Sequence, residues 1–251
     1  MPEKQSAKPI VLNEDSTIKW GNALVSGRWN VTAVEFRLLI TLTSQIERGL
    51  NEFDFYEVPV ASLGKMMQIE TNSYRDIKKI TDSLFNKYVI FRLKPTSDSK
   101  EIWVKSHWFS DLGYDESRAV LMWKFNQKLV PLLLNLRKAY VRTKALPVMN
   151  FRSSYAGRWY LLAQQWRKLD NVIMTVDDVR QMFELGKKHK LFADFYRSVI
   201  EIPIKEVNAC SDFNLIVTPI KTGRKYTHLK FTVQIKTVSN SESIADTQVI
   251  F

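Results

Sequence analysis

One cysteine, Cys210, stands in a chain of 251 residues, so no internal disulfide can form and a reducing compartment is expected. The histidines are three, His107, His189 and His228, and they are dispersed. With a single cysteine they offer no convergent ligand set, and no metal site is expected. Glycine is sparse, at eight residues. Gly186-Lys187 lacks the earlier glycine of a phosphate-cradling loop, and no dinucleotide fingerprint is present. No paired histidines accompany a tyrosine as metal-dependent nicking would need. No cofactor and no catalytic activity are therefore expected. Long apolar runs are missing too: Val130–Leu136 is the nearest, interrupted by Asn135, against the roughly 18 residues of a membrane span. Met1–Ser16 has no apolar core of a signal peptide. A soluble cytoplasmic protein, with no membrane association, is the expectation.

What the chain does have is positive charge. The formal net charge is +11, with 37 Lys/Arg against 26 Asp/Glu. Residues 1–150 hold 22 against 16, residues 151–236 hold 15 against 8, and the last fifteen carry only acidic charge. The cationic density therefore peaks in the second half, and an anionic partner is implied. Apolar residues make up 45% of the chain, enough for a folded core in two modest domains.

The densest stretch runs from Leu185 to Ile235. Lys187, Lys188, His189 and Lys190 precede apolar residues at Phe192, Phe195, Val199 and Ile202, which fall at the helical period and predict one buried face. Asp194, Arg197, Ser198 and Glu201 form the opposite, free stripe. Pro203 falls inside this helix, where a proline costs about 3 kcal/mol, or else it opens a second short helix at its first turn. From Phe213 the period becomes two. Phe213, Leu215 and Val217, then Thr227, Leu229, Phe231, Val233 and Ile235, alternate with polar or neutral residues on either side of Lys221-Thr222-Gly223-Arg224-Lys225. Gly223 supplies a turn position where positive φ carries no steric cost. A lysine-rich approach, a helix, and a hairpin with a basic tip outline a winged helix, in which the helix enters the DNA major groove and the hairpin straddles a phosphate strand.

The same order of parts occurs earlier. Thr32 and Glu35 predict a capping box for a helix to about Arg48 that buries Val34, Leu38, Leu42 and Ile46 and stops at Gly49. Leu24 to Asn30 before it reads as polar turn. Phe55–Val60 reads as a strand and Ser62–Gln68 as a short helix. Thr71 or Asn72 then caps a helix burying Tyr74, Ile77, Ile80 and Leu84 and presenting Arg75, Lys78, Lys79 and Asp82. Tyr88–Lys94 and Glu101–His107 form a hairpin with a polar tip over residues 95–99. In the second half a helix from Tyr155 to about Leu169, a strand at Asn171–Met174 and a short helix capped by Thr175 lead into the stretch already described. The expected fold class is α+β, two tandem winged-helix domains related by internal duplication. Between them Arg118–Phe125 is strand-like, Gln127–Leu136 is a short helix with Pro131 near its start, and Arg137–Val148 is extended, Pro147 disfavouring helix before it. The divisions are an arm over 1–16, a first domain over 17–148, a second over 149–237 and a tail over 238–251.

The order of these parts, and particular residues within them, resembles the replication initiator (Rep) proteins of iteron-containing bacterial plasmids over roughly residues 20–236. Tyr155-Ala156-x-Arg158-x-Tyr160 is similar to that family's helix start. Asp194-Phe195 and Lys205-Glu206-Val207-Asn208 resemble the two ends of its long helix, and Gly223-Arg224-Lys225 with Thr227-His228 and Phe231 resembles its wing. Looser likenesses lie at Asp76-Ile77, Val89-Ile90-Phe91, Trp108-Phe109 and Phe125-Asn126. The resemblance implies monomers whose two domains bind opposite ends of a short direct repeat in duplex DNA. It also implies a homodimer through the first domain that represses its own gene, with the host replication initiator and the replicative helicase as partners. A dimeric repressor that never opens DNA is the alternative, and a protein-docking module for an acidic partner a third reading.

Each candidate residue has a plainer role beside the DNA one. Lys187, Lys188, His189 and Lys190 are expected at phosphates, or in a solvated loop. Arg197, with Tyr196 beside it, faces either guanine or phosphate; Asp194 either orients a neighbouring cation or accepts from cytosine. Lys221, Arg224 and Lys225, with Tyr226 and His228 facing outward, are expected at phosphates or the minor groove, or as charges that prevent edge pairing. Arg75, Lys78 and Lys79 are expected at the DNA backbone or merely solvated. The seven tryptophans are expected in the core rather than stacked on bases.

Overall fold

The computed structural model describes residues 16–46, 51–67, 74–93, 100–136 and 139–236. The expectations for the N-terminal arm to residue 15, the Gly49 stop, the cap at Thr71 or Asn72, the hairpin tip at 95–99 and the tail from 238 lie outside the described residues.

Strand β1 (Thr17–Gly21) leads into a single helical turn, α1 (Asn22–Val25), and then α2 (Ala33–Ser44). The capping box forms: Glu35 N donates to Thr32 Oγ1 at 3.3 Å, and Thr32 N donates to Glu35 Oε2 at 2.6 Å. The helix ends at Ser44, earlier than its apolar period predicts. Thr43 Oγ1 donates to the Leu39 carbonyl at 2.7 Å and Ser44 Oγ to the Thr41 carbonyl at 2.7 Å, the back-bonding by which hydroxyl side chains compete with helix continuation. Leu24–Asn30 is not the polar turn expected. Leu24, Val25 and Trp29 are buried, and the Trp29 indole donates to the Leu24 carbonyl at 2.9 Å.

Next come β2 (Tyr56–Pro59), α3 (Val60–Met66), α4 (Tyr74–Phe85), β3 (Tyr88–Leu93) and β4 (Ile102–His107). Helix α4 buries Ile77, Leu84 and Thr81, whose hydroxyl is satisfied by the Ile77 carbonyl at 2.9 Å. The chain then continues straight past Trp108 into β5 (Phe109–Asp115), which the sequence pattern did not reveal, and returns as β6 (Val120–Phe125). This extra hairpin takes β2 as its third strand, in the order β2-β6-β5, leaving β3 and β4 as a separate pair. After a short 3-10 turn, α5 (Val130–Leu133) carries Pro131 in its first turn. Strand β7 (Tyr140–Lys144) closes antiparallel on β1, Thr17 opposite Lys144. Within the stretch expected to be extended, α6 (Leu146–Met149) is helical, with Pro147 in its first turn where a missing N–H leaves no bond unmade.

After α7 (Ala156–Trp166) the second unit runs through β8 (Val172–Thr175), α8 (Val176–Met182), α9 (Phe192–Phe195), α10 (Ile202–Cys210), β9 (Phe213–Thr222) and β10 (Lys225–Ile235). Its sheet order is β8-β10-β9. Thr175 caps α8 by accepting from Asp178 N at 2.9 Å. A π-helical turn, Tyr196–Glu201, joins α9 to α10 without a break. Pro203 lies in the first turn of α10, and the wider turn ahead of it absorbs the hydrogen bond that proline cannot donate. One inserted residue turns the later face by about 100°. Hence Ile202, expected in the core, is 44% exposed, while Pro203, Ile204 and Val207 are buried.

Helix α7 joins the two halves of one continuous core. Trp159 stacks on Phe231 with centroids 5.1 Å apart, and its indole donates to the Val199 carbonyl at 2.6 Å. On the other side, Tyr160 shares a 2.6 Å hydrogen bond with Thr143 of β7. Gly157 lies against Phe36 of α2 so closely that a Cβ would stand 2.2 Å from the ring. Six of the tryptophans are buried; Trp103 is not, being 50% exposed with the Arg28 and Arg92 guanidinium carbons 4.6 and 4.5 Å from its ring centroid.

Candidate nucleic-acid interface

The loop between α8 and α9 is tightly built. Glu184, Gly186 and His189 all take positive φ, at 51°, 53° and 53°. Arg180 of α8 holds the loop from behind, its guanidinium donating to the His189 and Lys188 carbonyls at 2.7 Å each. The His189 ring meets Asp194 at 3.0 Å, and Ser198 donates to the other Asp194 oxygen at 3.1 Å. These two partners, His189 foremost, hold the Asp194 carboxyl below its ordinary range. Asp194 thus ties the loop to the helix, with both oxygens engaged. The lysines 187, 188 and 190 are exposed along the loop, as is Arg197 one turn into the helix.

The hairpin β9–β10 comes to the same place. Tyr226 stacks flat on Phe192 at the head of α9, with centroids 4.2 Å apart and planes at 13°. The Lys221 ammonium lies 4.6 Å from the Tyr226 ring centroid. Tyr226 is therefore not turned fully outward as strict alternation predicts. A bulge between Tyr226 and His228 breaks the register, so the two no longer share a face, and His228 is half-buried with its ring 2.9 Å from Thr227 Oγ1. Tyr196 also serves this join: its ring stacks on Phe192 at 5.8 Å and its hydroxyl donates to the Val217 carbonyl at 3.4 Å. Gly223, at φ 61°, makes the turn, and Lys221, Arg224 and Lys225 are exposed around it. Lys187–Arg197 and Arg224–Lys225 consequently flank one stacked pair of rings.

In the first unit Arg75, Lys78 and Lys79 are exposed on α4, with the Lys78 ammonium 5.8 Å from the Tyr114 ring of β5.

The two units are held in register by a side chain the sequence marked only as part of a motif. Arg158 is 1% exposed. It donates to the Trp29 carbonyl at 2.9 Å, Met182 at 2.8 Å and Val25 at 3.3 Å, and to Gly27 as well. Its guanidinium carbon lies 4.1 Å from the Trp29 ring centroid. Burial lowers its pKa well below the arginine range, the Glu184 carboxylate acting the other way. Residues 25–29 belong to the first unit and Met182 to the second, so one guanidinium binds backbone of both.

Arg158, Arg180 and the Phe192–Tyr226 stack were not assigned these roles from sequence. An arginine among the apolar residues that open α7, and aromatic residues at both a helix head and a hairpin base, were the available signals. Among the described residues no three His, Cys, Asp or Glu side chains are grouped to hold a metal ion, and no helix is long and apolar enough to cross a membrane.

Helix, strand, two helices and a two-stranded wing, used twice, define a protein of two winged-helix domains. Residues 17–164 match the family model of the initiator replication protein WH1 domain, and residues 175–233 that of the initiator Rep protein WH2 domain. The chain belongs to this initiator Rep family. A crystal structure of the Pi initiator protein in complex with iteron DNA superposes with a TM-score of 0.70 at 16% identity, over 90% of this chain and 99% of that one, and shares its fold. The WH1 domain of the replication protein MSBI1.176, isolated from a multiple sclerosis patient, is 24% identical over 41% of this chain and 79% of its own, with a TM-score of 0.34.

Proposed function

We propose that this chain is a plasmid replication initiator that binds direct repeats of duplex DNA at an origin and promotes opening of the adjacent segment, without chemistry of its own. Family membership supports the initiator role, and the Pi initiator, which shares the fold, was crystallised with iteron DNA. The observation that carries the reading for this chain is the ring stack that holds the lysine loop and the basic hairpin turn side by side. In this reading the loop and the hairpin turn grip phosphates and the helix between them lies in the major groove. Arg75, Lys78 and Lys79 of the first domain, spanning 17–148, touch backbone farther along the duplex, and the second domain, 149–237, supplies most of the sequence choice. A dimer through the first domain represses the gene, and the host initiator and replicative helicase are recruited to the opened origin.

The test is a mobility-shift titration with duplexes from the region flanking the gene. Tight, salt-sensitive binding to tandem direct repeats supports the initiator reading. Binding confined to a single inverted repeat favours a repressor that never opens DNA. Absence of duplex binding at low salt overturns both.

A further inference from the structure

Leu191 sits between Lys190 and Phe192, at the N-cap of α9. It is 75% exposed, more than any other large apolar side chain described. Two costs meet at this position. An apolar side chain stands in water, and a residue type poor at capping occupies a cap position, with no side-chain hydrogen bond to the helix. Phe192 and Phe195 behind it already supply the packing of the helix head, and among the described residues none offsets either cost. Ala193, two residues on, is also exposed.

The surroundings restrict what can cover this leucine. Exposed lysines at 187, 188 and 190, Arg197 and the basic hairpin turn surround it with positive charge. Asp194, the one nearby carboxylate on the exposed stripe, has both oxygens taken by His189 and Ser198. A polyanion fits this setting and an apolar protein groove does not. Within the major groove of duplex DNA only one group is apolar, the C5-methyl of thymine.

We propose that Leu191 is a specificity-determining residue that reads thymine through its C5-methyl group. The inference rests on the DNA-binding reading above and adds a base preference to it. Cationic neighbours supply affinity common to all sequences, whereas the leucine discriminates, because an uncovered isobutyl group gains only against a methyl.

The experiment begins with selection of tight sites from a randomised duplex pool, using the full chain. In the selected duplex each thymine is then replaced singly by deoxyuridine, which removes the methyl and keeps the pairing edge. One or two positions are expected to show a three- to fivefold loss of affinity, about the value of one buried methyl. In Leu191→Ala, and in Leu191→Gln, which keeps the length but not the apolar surface, that loss should vanish and the thymine preference should relax. Binding to unselected duplex, which presents thymine at that position only by chance, should fall less than binding to the selected site. If no deoxyuridine position weakens binding, or if the loss persists undiminished in both variants, Leu191 does not read thymine although the protein still binds DNA. If selection retains no duplex, the DNA-binding reading itself fails and this inference falls with it.

Discussion

Phe192 and Tyr226 lie face to face, centroids 4.2 Å apart, one at the head of the helix that follows the lysine loop and the other beside the turn of the hairpin. An aromatic pair of this kind adds about 0.5–1.5 kcal/mol beyond burial. Replacing Phe192 by Ala should therefore leave the fold intact but free the hairpin from the helix. A small fall in Tm, with a roughly tenfold weaker affinity for duplex DNA, is the expected pair of results from calorimetry and a binding titration. An equal fall in stability and no change in affinity would separate the stack from DNA binding.

The lysine loop should act through phosphates. Each phosphate neutralised contributes about −0.9 to the slope of log affinity against log salt. Lys187, Lys188 and Lys190 changed together to Ala should make that slope shallower by roughly 2–3 and weaken specific and nonspecific duplexes alike. Anisotropy titrations at several salt concentrations measure this.

Asp194 links His189 to Ser198 and titrates below its ordinary value of 3.8. Because its pKa is lower folded than unfolded, the stability it contributes is complete above that value and is lost as pH falls through 3.8 toward the folded pKa. Asp194→Asn should lower Tm at pH 7, and the difference from wild type should shrink below pH 3.8. Thermal melts of both proteins across that window test it.

Arg158 binds carbonyls of residues 25–29 and of Met182 at once, so its loss leaves several buried acceptors unpaired, each costing about 1–3 kcal/mol. Arg158→Met should lose roughly 3 kcal/mol or more of stability, and hydrogen exchange should rise first in segments 25–29 and 180–185. Gly157→Ala next to it should also destabilise, by about 1–3 kcal/mol, because the new methyl meets the Phe36 ring.

Much of this architecture is legible in the sequence because helical and strand periods persist over long segments. The capping box at Thr32 and Glu35, the cap at Thr175 and the hairpin about Gly223 are local patterns, and all three form. The misses are of another kind. Strand β5 follows β4 after a single residue, Trp108, so no turn residue announces a second strand. Ile202 faces out because a π turn resets the helical phase, and Tyr226 turns onto Phe192 because a bulge resets the strand phase. Both shift by one residue what a strict period counts. Trp103 kept its alternation in sequence but lies on a two-stranded hairpin, exposed and covered by arginines rather than by a core. Arg158 escaped assignment because its partners are backbone carbonyls, which leave no mark on residue type.

The most direct measurement is nuclease protection along the DNA flanking the gene, with wild type beside two variants, Lys187/Lys188/Lys190→Ala and Arg224/Lys225→Ala. Wild type should protect an array of direct repeats, and both variants should lose that protection. Protection that survives in both, or no protected repeat at any salt concentration, would contradict this expectation.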